Sequence, residues 1–428
     1  MIGMWGGTMS ELWQQLTLAM AVAPALVPAF AATQLDGHFH LSKSSYIAGE
    51  PVFLIFEVKN TGHKPVMIRT ASPLSPCSGF RIEMEGVRNR EPAGCYPSGG
   101  VVCASSTELL PHGKTHTDRI LLNHSYDLRQ PGRFSLHATQ WLSYGIGPAK
   151  KPWLSREELQ EHFEDRLEIE IESADGKDLE PEFQQYALEL KSKDWQEEFI
   201  AAQVIADLAP PYMEGAILQM LDVPQLHSYG IDGLRNLGTP AAHRALANVV
   251  RTAPPGLDQN QAIRYLGEIG DSGDVQLLLD AAHASAPGMY SRELALVSAA
   301  EVGGAGAVPA LMDELKDESS MNQQSAVRAL YMTGSRAAVP VLIELLRVPD
   351  ARLNKTAEFG LEVLTHRRSA ERPESIPPEA RYLKWAHWWK THGESATIYK
   401  YDQCGEMMPL EKPCVQAPSG ACVESRAS

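Results

Sequence analysis

Two hydrophobic periods divide the chain. Through residues 36–173 apolar residues alternate with polar ones. Val52–Val58 is the densest run, followed by Ile68, Phe80–Met84, Ile120–Leu122 and Phe134–Ala138. Arg166–Glu172 alternates strictly, with Leu167, Ile169 and Ile171 on one side and charges on the other, the period-2 signature of a half-buried strand. Turn residues punctuate these runs: Gly49-Glu50-Pro51, Asn60-Thr61-Gly62, Pro111-His112-Gly113 and Pro131-Gly132. Short strands at this spacing predict a β-sandwich, with a short helix over Ser155–Phe163 ahead of the last strand.

From about residue 194 the period becomes 3.6 and the sequence repeats. Ala201–Leu221, Gly230–Val250, Ala262–Ala282, Ala295–Leu315 and Ala326–Leu346 align on one another, each an apolar helix, a small residue and a second apolar helix; a sixth, degenerate copy starts near Gly360. The turn residues Ala209, Gly238, Gly270, Gly303 and Gly334 are 29, 32, 33 and 31 residues apart. Pro240, Pro309 and Pro340 fall early in second helices, where a missing N–H costs nothing. Such copies bury their apolar faces only by stacking, so Leu266 and Leu330 are expected in a shared core.

The repeats resemble the short bacterial form of the HEAT family, which implies an α-α solenoid and a protein-binding surface. The β region resembles a recurrent bacterial immunoglobulin-like domain. The resemblance rests on Tyr46-x-x-Gly49-Glu50-Pro51-Val52, Asn60-Thr61-Gly62, the step from Leu110 to Gly113, and Leu122–Leu128 leading to Pro131–Phe134. Similar domains precede the catalytic part of some secreted metalloproteases, but this chain has no H-E-x-x-H. The expected fold class is multidomain, all-β plus all-α: an immunoglobulin-like β-sandwich followed by a HEAT-type solenoid. The expected division is signal peptide 1–31, sandwich 32–175, linker and capping helix 176–192, solenoid 193–370, C-terminal capping segment 371–400 and cysteine-containing tail 401–428.

The apolar stretch Leu16–Phe30, ending in the small-x-small pattern Ala29-Phe30-Ala31, predicts export to the periplasm or beyond. It departs from the usual signal in lacking a preceding Lys or Arg, and an uncleaved N-terminal anchor is the competing reading. No later stretch is expected to span a membrane. The six cysteines, Cys77, Cys95, Cys103, Cys404, Cys414 and Cys422, are disulfide candidates in keeping with export. With three near each end, complete pairing requires an odd number of bridges between the β region and the tail. Their gaps of 18, 8, 10 and 8 residues do not match zinc knuckles.

A net charge of −15, with no Lys/Arg run longer than two, argues against nucleic acid. Gly270-Asp271-Ser272-Gly273 contains the G-D-S-G string of trypsin-like proteases, but it falls at a repeat turn, where Asp or Ser caps the next helix. His38-x-His40 places two imidazoles on one side of a strand, half of a metal site whose third ligand the sequence does not show; surface histidines are the plainer reading. Trp385, Trp388 and Trp389 share a helical face and are read as closing the solenoid, with a carbohydrate-stacking or peptide patch as the sharper alternative. Asn123-His124-Ser125 and Asn354-Lys355-Thr356 are sequons of chance frequency.

The sequence therefore predicts a non-catalytic extracytoplasmic scaffold with a protein partner and no catalytic residue, cofactor or metal. Membrane contact is expected only through the N-terminal segment. Second helices are expected to line the binding surface, with His243, Arg244, Asp313, Glu314, Glu344 and Arg347 exposed on it. The alternative is an enzyme or accessory protein with a cleft of perturbed ionisable groups where sandwich meets solenoid. Some short HEAT proteins resemble bilin lyases, which act in the cytosol or plastid.

Overall fold

The computed structural model describes residues 34–71, 78–90, 105–146, 159–286, 288–368 and 376–400, with the backbone alone for 401, 407–411, 415–416 and 422–423. The expected signal peptide, residues 1–31, lies outside the described residues. So do the side chains of all six cysteines; only the backbone of Cys422 is described.

Two sheets enclose the first core. Strands β1 (Leu35–Leu41), β3 (Phe53–Asn60) and β7 (Thr115–Leu121) form an antiparallel sheet with β3 in the middle. The second sheet runs β2 (Ser45–Ile47), β9 (Leu159–Glu172), β8 (Gly132–Ile146), β4 (Val66–Ala71) and β6 (Ser105–Leu110), with β5 (Phe80–Met84) also on β8. Alternate residues meet between them: Leu54, Phe56 and Val58 from β3, Leu136 and Ala138 from β8, and Ile169 and Ile171 from β9, all buried.

The turn motifs of the sequence lock to one another. Asn123 Oδ1 accepts from Val52 N at 2.7 Å and its Nδ2 donates to Glu50 O at 3.1 Å, joining the Gly49-Glu50-Pro51 turn to Leu122–Leu128. Asn60 Nδ2 donates to Leu110 O at 2.8 Å, while Gly113 N donates to Asn60 O at 2.8 Å. Both asparagines are buried, so these bonds satisfy groups that would otherwise cost stability.

The helix expected over Ser155–Phe163 is overturned for 159–163, which belong to β9. Leu159 pairs with Tyr144 and Phe163 with Gln140, and Phe163 continues the inward alternation of Ile169 and Ile171. Residues 155–158 lie outside the described residues.

Beyond the sheets, α1 (Glu180–Glu189) buries Phe183. The helix pairs then follow: α2 (Trp195–Leu208) with α3 (Glu214–Met220), α4 (His227–Leu237) with α5 (Pro240–Thr252), α6 (Leu257–Ile269) with α7 (Val275–Ala284), α8 (Tyr290–Gly303) with α9 (Val308–Glu314), α10 (Ser320–Met332) with α11 (Ala338–Leu345), and α12 (Ala351–Thr365). Their apolar faces share one core in which Leu266 and Leu330 are fully buried. Turn chemistry explains the spacing. Gly238 adopts φ 60°, which suits glycine, and a Cβ at Gly270 would stand 2.2 Å from Leu266 O. The G-D-S-G string forms a capping box: Asp271 Oδ1 accepts from Gly273 N at 2.7 Å, and Asp274 Oδ2 accepts from Asp271 N at 3.0 Å.

By length and composition Tyr290–Glu314, 25 residues of mean hydropathy 1.5, passes for a membrane span, contrary to expectation, but α8 and α9 within it are divided by the turn Gly304–Ala307, and neither helix alone is long enough to cross. Here Ala295, Leu296, Ala299, Ala300 and Leu311 of that run are buried in the solenoid core, which accounts for its apolarity.

Helix α13 (Pro378–His392) closes the far end: Trp385 is buried, and Trp388 and Trp389 pack against the same core. Strand β10 (Ile398–Tyr401) follows, buries Ile398 there and pairs with β11 (Met407–Glu411). At the near end, Phe53 and Leu121, on the outer face of the three-stranded sheet, join Phe183 and Ile205 in that cluster. Sheet and solenoid thus share apolar surface.

Candidate functional site

A cavity of about 480 Å³ opens where the β region meets the first helices. Arg88, Asn89 and Arg90 follow β5; His124, Asp127 and Arg129 lie between β7 and β8. Asp207 comes from α2, Asp232, Arg235 and Asn236 from α4, and Gln261, Arg264 and Tyr265 from α6. Five arginines outnumber three aspartates in a chain of net charge −15.

The two bodies are tied here by polar bonds. Arg90 Nη1 donates to Asn123 O at 2.8 Å and to Asp207 O at 2.6 Å. His124 Nδ1 lies 3.0 Å from each Asp207 carboxylate oxygen. Asp207, near the end of α2, is buried, so its carboxylate needs the His124 contact, while Arg90 serves its main-chain carbonyl.

Arg129 grips Asp127 through Nε at 2.6 Å and Nη2 at 3.0 Å, which lowers the Asp127 pKa and raises that of Arg129. Arg235 Nε donates to Glu268 Oε2 at 2.7 Å. Arg264 instead lies over the Tyr265 ring, 4.6 Å from its centre, and Arg235 sits 4.9 Å from that centre. Arg90 is held by carbonyl oxygens, and burial pulls its pKa down. Asp232 accepts from Gln261 Nε2 at 2.6 Å and from Tyr265 Oη. Burial outweighs both bonds and pushes its pKa up, and burial also raises that of Tyr265.

The walls are polar and guanidinium-rich, unlike a typical apolar ligand pocket. Guanidinium forks match planar anions, so the arrangement suits carboxylate or phosphate groups.

The expected binding surface differs in two respects. The cavity is lined by first helices, because the β region docks on that side of α2, α4 and α6. Glu314, expected exposed, is buried, bonded by Arg292 Nη2 at 2.7 Å and facing His283 Nε2 at 2.5 Å. His243 is half-buried against Asp274 at 2.7 Å, while Arg244, Asp313, Glu344 and Arg347 are exposed. Among the described residues, Glu57 joins His38 and His40.

Residues 289–362 match a family profile for HEAT repeats, so the helical stretch carries HEAT repeats. No curated protein matches the sequence. Among solved structures, the complex of CpcE and CpcF of phycocyanin lyase from Nostoc sp. PCC7120 is similar at 21% identity and TM-score 0.30, over 42% of this chain and 76% of that one. Trypsin-activated alpha-2-macroglobulin from Escherichia coli is similar at 12% identity and TM-score 0.17, over 88% of this chain; the chain spans 30% of that protein's length.

Proposed function

We propose that this chain is an exported, non-catalytic binding protein. In this reading its β region is of immunoglobulin type, and its solenoid recognises a protein partner through an acidic segment seated in the junction cleft. One observation carries the reading: a guanidinium-rich cavity in an acidic chain, with Arg88, Arg90 and Arg264 in no carboxylate ion pair among the described residues. An arginine cluster selects anionic side chains. Export and cleavage after Ala31 would leave Ala32 as the mature N-terminus, which sequencing of the envelope protein checks.

The test is in-cell photo-cross-linking in the native host with the reactive group at position 89 or 236, on the cavity wall beside the arginines. One dominant envelope protein, captured through an Asp/Glu-rich segment and lost in R88E/R264E, is the expected result. Capture that survives this double charge reversal, or no capture from either position, rejects the cleft as the recognition site.

A second reading, an enzyme or enzyme accessory protein at the same cleft, is favoured by the His124–Asp207 pair. A carboxylate on Nδ1 is how a general-base imidazole is oriented. A substrate screen in which H124Q abolishes turnover while leaving partner capture intact would favour it.

A further inference from the structure

We propose that His38, His40 and Glu57 form a binding site for a divalent transition metal, zinc foremost, on the outer face of the three-stranded sheet. The site is independent of the junction cleft. His38 and His40 are two residues apart on β1 and share a face, and the β1–β3 register sets Glu57 directly opposite His38. His38 Nε2 stands 3.8 Å from Glu57 Oε2, and His40 Nε2 stands 3.9 Å from Glu57 Oε1. One ligand atom from each of the three side chains lies within 4.8 Å of the other two. The imidazoles stack with centres 5.6 Å apart and planes 26° apart, so both rings present the same edge to the carboxylate.

These separations exceed hydrogen-bond reach, so the carboxylate is not bonded to either ring. They come close to what a metal requires. Bonds of about 2.0–2.1 Å at a tetrahedral centre place donors roughly 3.3 Å apart, so the two histidine–glutamate gaps close by about half an ångström and the widest separation, at most 4.8 Å, by no more than about 1.5 Å. Rotation of exposed side chains supplies that, since the three are 57%, 39% and 38% accessible. Two imidazoles and one carboxylate favour zinc, nickel or copper over calcium or magnesium, which take oxygen ligands. Accessibility leaves further coordination positions to water or to a group from outside. An ion here would staple the edge strand β1 to the central strand β3.

The test uses the full chain without an affinity tag, titrated calorimetrically with zinc sulfate and, separately, followed by absorption with cobalt(II). Wild type is expected to bind one ion at this site and to melt at a higher temperature with zinc present. Loss of an outer-shell partner already weakens metal sites by about 10–100-fold, so H38A/H40A is expected to lose at least about 100-fold in affinity at this site. E57Q should weaken binding too, and it keeps the proposal falsifiable if the double variant fails to fold. The proposal is overturned if wild type binds no zinc, if both variants bind as wild type does, or if cobalt shows only thiolate-to-metal charge transfer, which would place the ion on cysteine.

Discussion

Helix α13, which carries the tryptophans, is joined to α12 by a buried ion pair, and its removal is the sharpest test of how the solenoid is closed. Arg381 Nη1 donates to Glu358 Oε2 at 2.8 Å, and the residues are 7% and 2% exposed. Two charges about 4 Å apart attract by about 4 kcal/mol at an effective dielectric constant near 20, and desolvation offsets much of that. R381M differs from a simple loss of attraction, because it strands the Glu358 carboxylate in the core. Breaking a buried pair in this way costs about 3–5 kcal/mol. Arg381 Nε is buried without a hydrogen-bond partner, so the native pair is imperfect and the lower end applies. The assay is hydrogen exchange read by mass spectrometry on α12 and α13, which resolves local opening where a whole-chain melt would mix several units. A loss of about 3 kcal/mol accelerates exchange there on the order of 100-fold, with the β region unchanged. E358L/R381M, which removes both charges, should recover most of the protection. An acceleration below about fivefold in R381M, or a double variant as labile as the single one, would refute the reasoning.

Further outcomes follow from the same packing and caps. L266A and L330A should each cost about 2–5 kcal/mol in urea titrations, since both leucines are fully buried; unchanged midpoints for both would refute the repeat register. D271A removes one half of the capping box and should cost about 1 kcal/mol, with no loss of partner capture, as a cap at a repeat turn requires. Asp232 gives a pH dependence of defined sign. Its folded pKa is raised above the ordinary 3.8, so its contribution is fully present below that value and is lost as pH rises through the raised one. D232N should therefore gain on wild type as pH increases from 4 and then level off. A gap that is flat or shrinks in urea titrations from pH 4 to 8 contradicts this account.

The helical part was legible because burial follows the 3.6 period directly: the positions aligned from copy to copy, Leu266 and Leu330 among them, are those that meet in the core. Turn chemistry was legible for the same local reason, since Asp271 and Asp274 cap within three residues of each other. The helix expected at 155–163 failed over its described part because Phe163 continues the strand alternation, which pairing with β8 enforces. Glu314 misled because its helix face, read alone, gives no sign of Arg292 on the neighbouring helix. The cleft was anticipated as a place and not as residues. Arg90 and Arg264 belong to different periods and meet only because the sheet docks on first helices. His38-x-His40 was visible as half a site; Glu57 completes it through a strand register that spacing alone does not set.

The two closed ends of the helical array bear on how such a chain changes length over evolution. Among the described residues, Phe53, Leu121 and Phe183 cover one end and Trp385 the other, which leaves no bare apolar face there on which another copy could be laid. Duplication at either terminus would displace an existing cover. Growth is confined to the interior, where a new helix pair meets neighbours of its own kind on both sides. The cleft, built on the first three pairs, would keep its shape through any insertion beyond α7. Homologues with more or fewer copies are thus expected to differ between α7 and α12 while both ends stay fixed.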